Sequence, residues 1–132
     1  MRELENWPYK WFGFWKEYGE DYNNFPTITS FINNEINSNY QKVALLNYLK
    51  NGHIVASTSR SAFQNPFTSI IESGEISIRT DGKWIWLDNI CEFIEHNDLV
   101  LPSNFYEDIK KNNFIISKND LFNLDHLECP NI

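Results

Sequence analysis

Acid–base or metal chemistry in this chain would fall to its histidines and to the acidic or thiol side chains near them. Three histidines have ordinary pKa values that suit proton transfer near neutral pH. They are His53, His96 and His126. Glu92 stands one helical turn before His96, and Asp125, His126 and Cys129 are grouped near the C-terminus. Neither spacing is typical of a zinc site. We therefore expect no metal ion and no cofactor.

The chain lacks the short motifs that usually indicate a catalytic or nucleotide-binding site. Its five glycines are dispersed, and neither a GxxxxGK(S/T) phosphate loop nor a GxGxxG motif is present. The GxSxG and HExxH motifs of acyl transfer and zinc proteolysis are absent as well. Cys91 lies on the apolar side of a predicted helix, which predicts a buried, unreactive thiol. We expect no catalytic residue and a protein that is not an enzyme.

The clearest chemical pattern is a set of carboxylates on one side of a predicted helix. Asp88, Glu92 and Glu95 are spaced i, i+4 and i+7, so a helix would place them on one face. Such a face can dock a cationic partner, although an ordinary solvated helix face has the same composition. A second, weaker group consists of Glu17, Glu20 and Asp21. Both groups are predicted to bind a partner.

The charge balance excludes one class of partner and favours another. Eighteen acidic against eleven basic side chains in 132 residues give a formal net charge of -7. The resulting negative potential repels a phosphate backbone, so nucleic acid is not expected as a partner. The same potential accelerates encounter with a basic protein. In many acidic proteins, however, net charge serves solubility alone.

The N-terminal sequence and the cysteine content bear on the cellular compartment. Positions 3 and 5 are acidic and no long apolar segment occurs, so we expect neither a signal peptide nor a membrane span. The cysteines, Cys91 and Cys129, are far apart and form no CxxC pattern, which fits free thiols in a reducing compartment. The prediction is a cytoplasmic protein without a membrane partner.

A small α+β fold must hold these residues in place. The length suits one domain spanning residues 1–132. Alternation and β-branched residues predict an antiparallel sheet with strands at 53–60, 75–80 and 83–87. Apolar residues at helical spacing predict helices at 27–36, 39–51, 88–97 and 104–112. Asp88 and Ser103 are the predicted N-caps of the last two helices. Residues 61–74 are predicted to be a loop. The sequence of the tail after residue 113 is compatible with a strand and a helical turn or with a frayed end.

Segment 75–87 gives the strongest local signal, that of a β-hairpin. Asp81-Gly82 predicts a two-residue turn between two alternating strands. The alternation puts Trp84 and Trp86 on one face of the sheet, where packing against helices is the favoured interpretation. The alternative is a small-ligand or carbohydrate-binding module in which exposed aromatic rings stack on a flat ligand.

Residues 7–25 allow two interpretations. Their many aromatic side chains recur at three- and four-residue steps, as in an interrupted helix. Gly13 and Gly19 weaken a helix, and they favour irregular turns held together by the aromatic rings.

Four short motifs connect the chain to a known family. They are Phe12-Gly13-Phe14-Trp15, Tyr48-Leu49-Lys50-Asn51-Gly52, Thr80-Asp81-Gly82-Lys83-Trp84-Ile85-Trp86 and Leu101-Pro102-Ser103-Asn104-Phe105. Over residues 9–110 the chain resembles small bacterial immunity proteins of contact-dependent growth inhibition and other polymorphic toxin systems. The resemblance implies protection of the producing cell by binding and blocking a cognate toxin domain, often a basic nuclease. The motifs are structural, and the resemblance assigns no binding residue.

Overall fold

The fold is built on a four-stranded sheet. The structure is a computed structural model that describes residues 7–37, 40–116 and 127–130. In chain order the strands are β1 (Trp11–Phe12), β2 (His53–Ser59), β3 (Glu75–Thr80) and β4 (Ile85–Leu87). In space they follow the order β1-β4-β3-β2. Neighbours among β2, β3 and β4 are antiparallel, as predicted. The unpredicted β1 pairs parallel with β4, so the sheet is mixed rather than antiparallel.

Helices flank the sheet in the described residues. They are α1 (Asn34–Asn37), α2 (Lys42–Lys50), α3 (Ile90–His96) and α4 (Ser103–Lys111). The α+β class is confirmed, and α2, α3 and α4 confirm three predicted helices with slightly different ends. The predicted start of the helix at 39–51 and the predicted tail elements over 117–126 lie outside the described residues. Ser103 is the first residue of α4, and its N-cap is Pro102 rather than Ser103.

The predicted helix at 27–36 is wrong. Ile28–Phe31 forms a 3₁₀ turn, and α1 is a separate single turn. Between them Ile32 has extended backbone angles and forms a β-bridge with Leu99. The apolar side chains of Ile28 and Phe31 thus reach the core from a 3₁₀ turn, and that of Ile32 packs against it from extended backbone, rather than from one helix face.

The predicted hairpin is present, with its turn displaced by one residue. The amide of Asp81 donates to the carbonyl of Trp84 at 3.4 Å, so the central residues of the turn are Gly82 and Lys83. The Asp81 carboxylate accepts hydrogen bonds from the amides of Lys83 and Trp84 at 2.9 and 2.7 Å. Gly82 has φ +98°, a conformation that favours glycine. Asp81 thus closes the turn from the end of β3.

The core lies between the sheet and the helices and is rich in aromatic rings. Trp84 and Trp86 are fully buried, and their rings contact Phe105 of α4 at centroid distances of 4.2 and 5.7 Å. Both tryptophans therefore lie on the helix-facing side of the sheet, as predicted. Tyr48 of α2 stacks on Trp86 at 6.2 Å. Neither tryptophan ring is accessible to a ligand in this arrangement.

Residues 7–25 form irregular turns rather than an interrupted helix. After β1 come two 3₁₀ turns, Lys16–Tyr18 and Glu20–Tyr22. Gly19 separates them with φ +141°, which no helix accommodates. The aromatic side chains of the segment pack against one another, which holds these turns in place.

Candidate functional site

The acidic side chains of α3 meet the segment that follows β2. Arg60, the first residue after β2, places its guanidinium 2.7 Å from the carboxylate of Glu92 and 3.3 Å from that of Glu72. The hydrogen bond with Glu92 raises the pKa of Arg60, so the guanidinium stays charged. Two carboxylates from different segments therefore share one cation.

Two further carboxylates extend this cluster. Glu95 is exposed one turn along α3 from Glu92, and Glu75 is exposed at the first residue of β3. Within the described part of the chain, neither forms an ion pair. We define the acidic surface as Glu72, Glu75, Glu92 and Glu95. Its carboxylates outnumber the one guanidinium bound to them, so the surface is anionic.

Asp88 does not belong to this exposed group. It precedes α3, whose N-cap is Asn89, so the predictions that Asp88 caps the helix and shares its exposed face are wrong. Its carboxylate accepts hydrogen bonds of 3.1 Å from the amide of Ser77 and from Nε of Arg79, and the side chain is 23% exposed. Asp88 therefore ties the start of α3 to β3. Of the predicted stripe, Glu92 and Glu95 remain on the helix surface.

The second predicted acidic group lies beside the same segment of chain. The ring of Tyr18 contacts that of Phe63 at 5.0 Å. The side chain of Gln64 donates a hydrogen bond of 3.1 Å to the backbone oxygen of Glu17. The structure thus brings the two predicted groups to residues 60–64, which contact α3 through Arg60 and the N-terminal turns through Phe63 and Gln64.

Members of this second group differ in their availability. The carboxylate of Glu17 is engaged inside the protein, where it accepts hydrogen bonds from the Thr27 hydroxyl at 2.6 Å and from the Ile28 amide at 3.2 Å. Glu20 and Asp21 are exposed on the second 3₁₀ turn. Glu20 and Asp21 are therefore free to meet a partner, whereas Glu17 holds two segments together.

An open cleft of about 320 Å³ lies next to the Arg60–Glu92 ion pair. Lys50, Arg79 and Cys91 are among its lining residues, so cationic groups face the carboxylates there. Burial raises the pKa of the Cys91 thiol to about 12, which keeps it protonated at neutral pH. The cleft thus offers charge pairs rather than a reactive nucleophile.

Arg60, Glu72 and Glu75 are site residues that sequence reasoning missed. A signal was present, because residues 51–71 contain no Lys, Arg, Asp or Glu other than Arg60, and two glutamates follow directly. Their meeting with α3 depends on a long-range contact, in which Phe67 packs on Phe93 at 5.4 Å. Local patterns carry no information on such a contact.

A second open cleft, of about 370 Å³, has an aromatic lining. Tyr9 is 43% exposed and stacks on Trp11 at 4.7 Å, and Trp11 stacks on Phe25 at 5.2 Å. Glu128 and Cys129 border the same cleft. The exposed aromatic side chain that a small-ligand site requires is therefore found here.

No family model, no curated protein and no solved structure matches the chain. Among the side chains that the structure describes, no group of three or more His, Cys, Asp or Glu could hold a metal ion. In the same part of the chain, no helix has the length and apolar character needed to cross a bilayer. A function must therefore be inferred from the chemistry of the surface and from the sequence resemblance.

Proposed function

We propose that this protein is a cytoplasmic immunity protein that binds and neutralises a basic toxin domain. The observation that carries the proposal is the acidic surface of four exposed glutamates, of which Glu72 and Glu92 bind the guanidinium of Arg60. The resemblance to immunity proteins of polymorphic toxin systems supports it independently. The free thiol of the exposed Cys129 fits the reducing environment of the cytoplasm.

Electrostatics explains why such a surface suits a basic partner. Four exposed carboxylates that form no ion pair within the described residues contribute to the net charge of -7. They are Glu20, Asp21, Glu75 and Glu95. A one-sided anionic surface raises the rate of encounter with a cationic protein by about 10- to 1000-fold at low salt. A toxin cleft that binds a phosphate backbone has the positive potential that this surface complements. Occupying or covering that cleft would neutralise the toxin.

The test is protection of growing cells. If a large secreted protein is encoded beside the gene for this chain, its C-terminal domain is the toxin candidate. Expressed alone, that domain should arrest growth, and co-expression with this protein should restore it. The purified pair should form a complex whose association rate falls as salt increases. The proposal fails if the chain neither protects cells from the neighbouring toxin domain nor binds it.

A second candidate function is a small-ligand or carbohydrate-binding module, for which the cleft beside Tyr9 is the specific observation. Titration with a panel of soluble sugars, followed by the intrinsic fluorescence of the tryptophans, tests it. A Tyr9→Ala variant should lose any such binding. The same variant should bind the toxin normally if the immunity function is correct, so the two candidates are separable.

A further inference from the structure

β2 forms an open edge of the sheet. It pairs with β3, and no other strand of the described residues pairs with it. The amide of Arg60 donates to the carbonyl of Gly74 at 2.9 Å, so Arg60 occupies a hydrogen-bonded position. Thr58, two residues earlier and opposite Ile76 of β3, occupies the next one. Because hydrogen-bonded positions alternate along an antiparallel pair, the backbone groups of Ser57 and Ser59 point away from β3.

This edge lacks most of the features that normally protect an edge strand. Charged side chains, prolines, covering elements and β-bulges prevent edge-to-edge pairing in most proteins, and of these β2 has only a bulge, near its start. β2 contains no charged residue and no proline, and every residue from Ile54 to Ser59 is exposed. The register shifts at a bulge that leaves Val55 without a partner on β3. An edge of this kind is a template for another strand.

Exposed apolar side chains are concentrated along this edge and in the loop that follows it. Of the eight large hydrophobic side chains exposed in the described residues, five lie within 54–71. They are Ile54, Val55, Phe67, Ile70 and Ile71. Most of the exposed large apolar side chains of the described residues therefore belong to β2 and the loop that follows it.

We propose that β2 pairs antiparallel with β2 of a second copy, which joins two four-stranded sheets into one across a twofold axis. An axis at Ser57 aligns Val55 with Ser59 of the partner subunit and Ala56 with Thr58 of the partner subunit. Each aligned pair is small and uncharged, so two chains of net charge -7 meet where neither carries a carboxylate. The outward backbone groups of Ser57 and Ser59 supply the hydrogen bonds.

Charge favours a second copy over a basic protein as the occupant. A basic partner is attracted by carboxylates, and β2 has none, whereas the acidic surface has four. Symmetry also guarantees that a second copy brings a strand of matching length and exposure. The dimer uses the open edge and not the acidic surface, so the inference does not depend on the toxin hypothesis.

The test is the oligomeric state of the full chain and of two variants with different physical effects. Ser57→Pro removes an outward amide and leaves the backbone hydrogen bonds to β3 intact, so it blocks edge pairing, and it also removes the 2.8 Å hydroxyl contact with Ser77. Val55→Lys places a cation from each copy in the interface. Val43→Lys is the matched control, since Val43 is 76% exposed on α2 and the change in charge is the same. Circular dichroism should show that each variant is folded.

Analytical ultracentrifugation should give the wild-type chain a mass of about twice 15.7 kDa at high concentration, and Val43→Lys should match it. Val55→Lys should raise the dissociation constant at least about tenfold, and Ser57→Pro should behave likewise. Hydrogen exchange at the amides of Ser57 and Ser59 should slow as the wild type dimerises. A wild-type monomer at concentrations up to about 1 mM overturns the inference. So does a dimer that Val55→Lys leaves unchanged, or that Val43→Lys weakens equally.

Discussion

The guanidinium of Arg60 lies 2.7 Å from the carboxylate of Glu92, and this ion pair joins the end of β2 to α3. The two side chains are 19% and 50% exposed, so the pair contributes at most about 1 kcal/mol to stability. Its larger effect is on the charge of the surface. Arg60 offsets one of the carboxylates that would otherwise face a cationic partner.

Changes to this pair and to its neighbour should alter toxin capture in opposite directions. Arg60→Gln makes the acidic surface more negative and should speed association with a basic toxin domain. Glu95→Gln makes it less negative and should slow association. Each change should amount to roughly twofold to tenfold at low salt and should vanish at high salt. Stopped-flow association rates measured over a range of salt concentrations would show both effects.

The control for this pair of variants is Glu107→Gln on α4, whose carboxylate pairs with Lys110 rather than with Arg60. It changes the net charge as Glu95→Gln does, at another site. If Glu107→Gln slows association as much as Glu95→Gln does, total charge rather than the acidic surface controls capture. If Arg60→Gln slows association, the guanidinium itself contacts the toxin.

A buried hydrogen bond between α2 and the hairpin turn should contribute strongly to stability. The Tyr48 hydroxyl donates to the Asp81 carboxylate at 2.6 Å and accepts from the side-chain amide of Asn112 at 3.1 Å. Tyr48→Phe leaves both groups without this partner and should lower the free energy of unfolding by about 1–3 kcal/mol. Urea denaturation would measure the loss. Tyr106→Phe, which removes a hydroxyl bonded to the exposed Gln41 amide, should cost less, and equal losses would contradict this explanation.

Elements with a strong local period could be predicted from the sequence. The alternation around Asp81 and Gly82 predicts the hairpin, because side-chain period and turn chemistry agree there. Helices α2, α3 and α4 have apolar residues at helical spacing over two or more turns. Burial of Trp84 and Trp86 followed from the same alternation.

Features that depend on contacts distant in sequence could not be predicted. β1 has two residues, too few for a period, and it exists because Trp11 and Phe12 pair with β4. The spacing of Asp88 matched a helix face, but its carboxylate is drawn to Arg79 on β3 instead. The role of Arg60 required knowledge of which loop packs on α3. Of the acidic surface, only Glu92 and Glu95 were therefore expected from the sequence, and both are exposed.

The folded protein should lose stability at high pH through its buried tyrosines. Burial raises the pKa of Tyr18, Tyr40 and Tyr48 above the ordinary value of about 10. The folded state therefore keeps protons that the unfolded chain releases. The stability that the protonated, buried tyrosines contribute is complete below about pH 10 and declines above it. Each tyrosine should lower the free energy of unfolding by up to about 1.4 kcal/mol per pH unit.

Denaturation measured between neutral and alkaline pH would test this slope. The tyrosinate absorbance that comes from Tyr18, Tyr40 and Tyr48, isolated by comparison with their phenylalanine variants, should rise together with unfolding rather than before it. Above pH 10, Tyr40→Phe should reduce the slope of the unfolding free energy against pH by up to about 1.4 kcal/mol per pH unit, which corresponds to one proton. Ionisation of these tyrosines in a chain that is still folded would show that burial does not protect them.

The two cysteines should differ in reactivity. Cys129 is exposed, whereas Cys91 is buried with its pKa raised to about 12, so thiolate forms there far less readily. Iodoacetamide at neutral pH should add one label to the native protein and two in denaturant, as counted by mass spectrometry. Cys129→Ser should remain unlabelled when folded. Labelling of that variant at the wild-type rate would show that Cys91 is accessible.

Gly52→Ala should destabilise the protein through a contact with one ring. A Cβ atom at Gly52 would lie 2.5 Å from Cζ2 and 2.9 Å from Cη2 of Trp86. The ring has no room to move, because it is fully buried and its Nε1 donates to the carbonyl of Leu49 at 3.1 Å. The backbone must shift instead, at a cost of about 1–3 kcal/mol measured by urea denaturation. Trp86→Phe removes both clashing atoms, so Gly52→Ala should cost clearly less in that background, as a double-mutant cycle would show. An equal cost in both backgrounds would mean that another neighbour, such as Arg79, whose Cβ lies 3.1 Å from the added atom, sets the penalty.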